Sequence, residues 1–510
     1  MLSDDSMILV MRDGAKRHVL LLFTAAVGLM APARSDAQLL PSPTAEQCVP
    51  VVANGATAAQ WLERAAATVL PRGADGKVLR YRGSHDTPLW EQSDRMYEPF
   101  VPNATVSMRW FDPAIGVEGR QAPERPVSPK DYATQLYADS AAYVARDTVL
   151  FALPGVVSST RPYGLLNPWL VLGNWRASAA NVRVAERCRY RDAWRVVLAL
   201  GSERLYLSES DATPIKLERV ERHYLWGQVK AEYLWTTWWG VRGGGYYPNA
   251  AFRLFDGTVY ERSGVWQARM ELVPRDSAPR LDVGQARSAQ SLAIPTSDVA
   301  DTVRISEHTF LLVTRAFTEA VTLQRDTVFL FDATSGEARA RADSAWIAKL
   351  FPGRHPVVLV VTDLAWPHVS GVRFWVARGA IVASHRGSEA FLRRVAERRW
   401  TLEPDALEGA RATARFRFRA LDDSLRLAGG AVVLHALRNT STEMAIGAWV
   451  PADRFFWAGD YVQGDAASPY ARDVVGTLRA LAIEPLKVGA QHVPQSDWTA
   501  LETKFPLARP

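Results

Sequence analysis

Cysteine is nearly absent from the 510-residue chain, and Cys48 and Cys188 lie too far apart for a zinc motif. An oxidising compartment permits a bridge between them; the alternative is two unpaired buried thiols. Long hydrophobic runs are also missing. The best, VLLLFTAAVGLM at residues 19–30, is shorter than the roughly 20 residues a membrane-spanning helix needs, so no transmembrane segment is expected in the mature protein. There is no G-x-S-x-G, no G-x-x-x-x-G-K-[ST], no dinucleotide fingerprint and no internal repeat, so nothing points to a serine hydrolase elbow or a nucleotide cradle.

The apolar run follows Arg12, Lys16 and Arg17 and precedes the small residues around Ala37. That order reads as a cleaved secretory signal over residues 1–37, with a mature start at Gln38 and a periplasmic or secreted destination. Met11 is an alternative start. Arg12, Lys16, Arg17 and Arg34 are balanced by Asp4, Asp5, Asp13 and Asp36, so the formal net charge of +6 belongs to the mature part. Its arginines are scattered among acids and no binding module accompanies them, so nucleic acid is not an expected partner. Hydrophobic residues at 48% against charged residues at 22% indicate a folded globular chain, and its length suggests two large domains.

Within residues 44–70, Trp61, Leu62, Ala65 and Leu70 recur at near-helical spacing. From 78 to 273 the segments are short, β-branched or aromatic, and alternate with period two, which predicts an antiparallel sheet with one buried face. The most aromatic stretch, YLWTTWWGVRGGGYYP at 233–248, leaves two readings open. Trp235, Trp238 and Trp239 form either a surface for an apolar ligand or cross-strand pairs closing the sheet. Residues 276–300 are polar and lack a period, as a linker would. Beyond 301, strands alternate with helices: Ala338, Ala342, Ala345, Trp346 and Leu350 mark one helical face, and PVVLVV at 356–361 suits a strand covered on both sides. Further helices are expected at 388–398 and 471–481.

Four segments carry a resemblance. A strand ends in Asp332; T-x-x-x-x-x-H-x-x-G follows at 362–371; TSTEMAIGAWVPADRFFWAGD runs from 440 to 460; GAQHVP closes the series at 489–494. In order and content they resemble the metallo-β-lactamase-fold hydrolases, whose first metal loop reads T-H-x-H-x-D-H-x-G-G. The resemblance covers residues 301–510 and implies an αββα sandwich there. It places the loop's ligand positions on Asp363, Ala365, Pro367 and His368, the next histidine on Ser441, the bridging aspartate on Asp460 and the final histidine on His492. Asp363, Ala365, Pro367 and Ser441 are substituted positions. The first of the family's two metal sites is thereby lost, while His368, Asp460 and His492 retain a shell for one zinc or other divalent ion, with Asp363 as an additional candidate ligand. The β-rich residues 38–275 more loosely resemble the periplasmic lipoprotein-carrier fold, a half-barrel.

The expected architecture is therefore a two-domain α+β/α/β chain: signal 1–37, antiparallel β-rich domain 38–275 with an N-terminal helix, linker 276–300, and sandwich 301–510. Two functions stay open. One is hydrolysis of an ester, amide, lactone or phosphoester assisted by a single metal; the other is a non-catalytic, metal-free scaffold holding an apolar ligand in the N-terminal sheet. The first requires His368, Asp460 and His492 to converge, and the second requires an open groove.

Overall fold

The structure is a computed structural model that describes residues 47–51, 55–88, 102–113, 117–121, 134–137, 142–146, 149–152, 166–191, 193–265, 270–277, 287–288, 301–314, 317–438, 444–463 and 469–505. The expected signal segment, most of the expected linker and Ser441 lie outside these residues.

Strands between Gln47 and Ser288 form one 16-stranded, almost entirely antiparallel sheet. Its first strand, Gln47–Pro50, pairs with Arg183–Tyr190, and Cys48 faces Cys188 across that pair in a disulfide. Alternation sorts the side chains as the period-two pattern predicts. Leu217, Tyr233, Trp235 and Ala251 share a face, and onto it pack the helices Ala58–Val69 and Pro168–Ala177. The first helix is set by a Thr57–Gln60 capping box and buries Trp61, Leu62 and Ala65. The second was not expected among strands. Its signal is Asn167-Pro168, where the Asn side chain accepts from the N–H groups of Trp169 and Leu170 and Pro168 opens the helix.

These helices decide the aromatic stretch. Trp235 is buried and donates from Nε1 to the Leu166 carbonyl at 3.1 Å; Trp238 and Trp239 pack half-buried against the same core. Trp235 is therefore core and not an exposed apolar surface. The sheet face that an apolar ligand would occupy is taken up by Trp61, Trp169 and Trp175.

Residues 301–497 form two further sheets of seven and six strands. Phe329, Phe331, Val358 and Val360 from one meet Ile446, Ala448, Val450, Phe455 and Trp457 from the other in a common core. The alternate residues Val328, Leu330, Leu359 and Val361 face outward onto helices, so the PVVLVV strand is covered on both sides. Helices Pro469–Ala480 and Trp498–Thr503 cover the outer face of the six-stranded sheet through Val474, Leu478, Trp498 and Leu501.

The helix Glu337–Leu350 forms where expected, but its buried face is not the apolar one. Ala338 and Ala345 are exposed, while Arg339, Ala340, Asp343 and Ile347 are buried. Ion pairing overrides apolar periodicity here. Arg339 Nε donates to Asp343 at 2.7 and 2.9 Å, and its other nitrogens donate to the carbonyls of Leu312 and Phe317. Burial, and then the adjacent Glu319 carboxylate, push the Asp343 carboxyl well above its usual range against the pull of the Arg339 guanidinium. Replacing Arg339 with Leu strips this cluster of its cation and should cost about 3–5 kcal/mol in urea unfolding. A loss under about 1 kcal/mol would show that the ion pair is dispensable.

One hydrophobic cluster runs from the first sheet into the outer layer of the second half. At the junction, Trp366 lies edge-on to His223 and Trp226, with centroids at 5.3 and 5.5 Å, and parallel to Tyr260 at 5.7 Å. Arg398 donates to the carbonyls of Trp226 (2.9 Å) and Gln228 (2.6 Å) and pairs with Asp256 at 2.8 Å. His223 Nδ1 accepts from the N–H groups of Leu225 and Trp226, both at 3.2 Å, which requires that nitrogen to be unprotonated. Burial, followed by the charges of Arg253 and Arg398, holds its pKa well below 6.5. A depressed histidine contributes stability that is complete above the unfolded value near 6.5 and is lost as pH falls below it. Acidification from about pH 7.5 to 5.5 should therefore lower unfolding stability by up to about 1.4 kcal/mol per pH unit below that value. His223→Asn keeps an acceptor and removes the titration, so its stability should vary less with pH. An identical pH slope in both proteins would rule His223 out as the source.

Candidate metal centre

The centre is built at the ends of strands from both sandwich sheets. Asp332 follows the strand Thr327–Phe331 with φ of 70° and is buried. Its Oδ1 accepts from Thr362 N and Thr362 Oγ1, both at 2.8 Å, and its Oδ2 accepts from Trp457 Nε1 at 2.8 Å and Gln491 Nε2 at 2.9 Å. One carboxylate thus fixes the loop after Val357–Val360, the strand Phe455–Trp457 and the turn at 491–492. Burial and the neighbouring charge of Asp363 raise its pKa to about 6 against these hydrogen bonds. Gly459 (φ 58°) meets Thr362 so closely that a Cβ there would stand 2.3 Å from Oγ1, which explains why glycine precedes Asp460.

After Thr362 the chain turns into the short helix Trp366–Val369, whose N-terminal turn holds Pro367. The loop after Asp332 grips this helix: Ala333 N donates to the His368 carbonyl at 3.2 Å and Ser335 N to that of Pro367 at 2.9 Å. Trp366, only 2% exposed, is directed into the junction with the first sheet. His368 belongs to the centre. On the other side, Gln491 N donates to the Gly459 carbonyl at 2.9 Å and Thr318 N to the Gln491 carbonyl at 2.7 Å, setting His492 beside Asp460.

His368, Asp460 and His492 converge, each offering a ligand atom within 4.8 Å of the other two. His492 Nε2 and Asp460 Oδ1 are 2.9 Å apart, and Gln463 Nε2 donates to the same oxygen at 3.0 Å. A tetrahedral shell with arms of 2.0–2.2 Å spaces its ligand atoms about 3.3–3.6 Å apart, between the contact observed and the outer limit of the trio. His368 and Asp460 are buried, whereas the His492 side chain is 38% exposed, so the centre has a solvent side. Phe317 packs on both imidazoles, at 5.3 Å from His368 and 5.2 Å from His492.

Asp363 stands behind His368 rather than within the trio. Its carboxylate receives Ala365 N at 2.7 Å and lies 3.0 Å from His368 Nδ1, leaving Nε2 of His368 to bind. Carboxylate behind imidazole is how metal-ligating histidines are oriented, so the role is positional and not that of a fourth ligand. Ala365 and Pro367 have no donor side chain to offer. Burial lowers the His368 pKa, but Asp363, then Asp460 and Asp332, outweigh it and lift it to about 9. Three carboxylates around one buried imidazole make a field that favours a cation, and the donor set of two imidazoles and one carboxylate fits a divalent transition metal.

Asp332, Thr362, Gln491 and Phe317 were not legible as site residues. Asp332 stood out only as a strand end, and a supporting hydrogen bond from a distant segment leaves no local pattern. Cys48, Glu186 and Cys188 also cluster, but the disulfide removes the thiolates a metal would need.

No protein-family model and no curated protein matches the chain. Among solved structures it is similar to DIM-1 metallo-beta-lactamase, at 13% identity over 40% of this chain and 94% of that one, with a TM-score of 0.31. It is similar also to a metallo beta lactamase from Hirschia baltica, at 11% over 40% and 95% with a TM-score of 0.30. A third, from Erythrobacter litoralis, is 15% identical over 40% and 93%, with a TM-score of 0.30. Likeness at this level does not assign the chain to a family.

Purified protein equilibrated with zinc should retain about one equivalent per chain, and His368→Ala and His492→Ala should each abolish retention. Asp363→Asn should keep the stoichiometry and weaken affinity about 10- to 100-fold in a competition assay with a chelating dye. Unchanged affinity in Asp363→Asn would remove its assigned role.

Proposed function

We propose that the chain is an exported hydrolase with a single divalent metal, made of a β-rich domain (38–275), a linker (276–300) and a metallo-β-lactamase-like αββα domain (301–510). The convergence of His368, Asp460 and His492 at one end of two facing sheets carries this reading. Three protein ligands and an exposed side are what a catalytic zinc requires. Export rests on the N-terminal leader pattern in the sequence and agrees with the Cys48–Cys188 disulfide.

A divalent cation held there would act as a Lewis acid on an ester, amide, lactone or phosphoester and make nearby water more acidic. The protein's own residues do the rest. Asp363 fixes the His368 ring through Nδ1, Gln463 holds the Asp460 carboxylate, and Phe317 lays an apolar wall across the two imidazoles. Pro367 puts no carboxylate where an acid–base group would help, which predicts slow turnover. The scaffold alternative loses ground because helices fill the sheet face on which its ligand would lie.

A panel of thioester, lactone, lactam and phosphoester substrates tests the reading. The zinc-equilibrated protein should hydrolyse at least one class slowly, with the rate falling about 100-fold or more in Asp460→Asn or after chelation. Stoichiometric metal without hydrolysis that depends on Asp460 would make the domain a metal-binding scaffold instead.

A further inference from the structure

The strand Arg417–Leu421 is the last of the seven-stranded sheet: it pairs in parallel with Ile381–His385 on one side and with no described strand on the other. An edge of this kind presents backbone N–H and C=O groups that a further strand can take up. Its side chains alternate. Phe416 and Phe418 are half-buried on the helix-covered side, with ring centroids 6.0 Å apart, and the Arg393 guanidinium lies 5.1 Å above Phe416. Arg415, Arg417 and Arg419 fall on the other face and are exposed. In register, Arg417 stands beside Ile381 and Arg419 beside Ala383, which belong to the core between the two sheets. The arginines therefore prolong that inner face past the point where the six-stranded sheet covers it. Among the described residues none of the three guanidiniums meets a carboxylate. Arg415 donates to the carbonyls of Ala412 and Ala414 at 3.1 and 2.8 Å, Arg417 donates to that of Gly379, and Arg419 makes no ion pair. The acids nearest in the chain are engaged elsewhere, Asp422 by Arg386 and Glu389 by Arg393, while Asp423 stands in the turn beyond Leu421. The opposite edge of the same sheet, Asp301–Arg304, carries one acid and one base, so charge of a single sign belongs to this edge.

We propose that this edge docks an extended acidic segment of another protein, which adds to the sheet as a further strand and sets alternate carboxylates against Arg417 and Arg419. Backbone pairing supplies affinity in this mode of recognition, and side chains at every second position supply the choice of partner. Residues that share a face of a strand recur at about 6.6 Å, and so do the carboxylates of an extended peptide that is acidic at alternate positions. Each guanidinium can then meet a carboxylate with two parallel hydrogen bonds. Opposite charges facing each other across a strand pair attract and like charges repel. A second copy of this edge would set arginine against arginine, so the row turns away self-pairing while it admits an acidic strand.

The test is fluorescence anisotropy on the full chain with labelled peptides of about nine residues, a long strand's length. One alternates Glu with Thr, one Lys with Thr, and one Glu with Pro, which keeps the charges and removes half of the N–H groups. The Glu–Thr peptide should bind saturably, with a Kd of about 10–100 μM at low salt that weakens as salt is raised. The Lys–Thr peptide should not bind, and the Glu–Pro peptide should bind at least about tenfold more weakly, a comparison that needs no variant. Reversing the row with Arg417→Glu and Arg419→Glu together, both exposed positions, should weaken the Glu–Thr peptide at least about tenfold and let the Lys–Thr peptide bind. No saturable binding of the Glu–Thr peptide up to about 1 mM overturns the proposal, as does equal affinity for the Glu–Pro peptide or unaltered binding in the double variant. A heparin fragment that binds more tightly than the Glu–Thr peptide, and is lost in the double variant, would overturn it in favour of a polyanion patch.

Discussion

The Asp332 carboxylate is the constraint on which the candidate centre depends. Four donors from Thr362, Trp457 and Gln491 converge on this buried group, and they belong to three separate segments of the chain. Each donor is satisfied by this one buried group, so a shift of any segment would leave an unpaired polar atom in the core. The residues of the centre lie a few positions beyond these contacts. Asp363, which orients His368, follows Thr362; His492 follows Gln491; and Asp460 lies three residues past Trp457, where its strand ends.

Around that anchor the electrostatics are lopsided. Asp332, Asp363 and Asp460 surround His368, and two of the three sit within hydrogen-bonding distance of an imidazole. Without a metal, protonated His368 relieves part of this charge, which is why its pKa stands at about 9. A bound cation would take over that duty and release the proton. In the same turn Asp363 supports the His368 ring, and Ala365 and Pro367 flank Trp366.

Trp366 couples two regions of the chain. Its backbone belongs to the turn that delivers His368, while its ring is part of the junction with the first sheet. In the fold it points away from the centre and leaves His368 unobstructed, and the two halves share a core through it.

The sequence by itself determined the local elements: period-two strands before residue 274, the capped helix containing Trp61, the doubly covered PVVLVV strand, and the identity and order of His368, Asp460 and His492. These follow from alternation and short motifs, which physics writes into adjacent residues. It also offered Cys48 and Cys188 without saying whether they met. Tertiary structure decided what depends on distant partners. Arg339 and Asp343 turned the helix Glu337–Leu350 onto its charged face, because a buried ion pair with satisfied carbonyls outweighs an alanine stripe. Two helices placed Trp235 inside the core. Asp363 became the support of His368 rather than its neighbour in a shell, because the direction of a side chain at a strand end is set by the groups around it and not by its place in the chain.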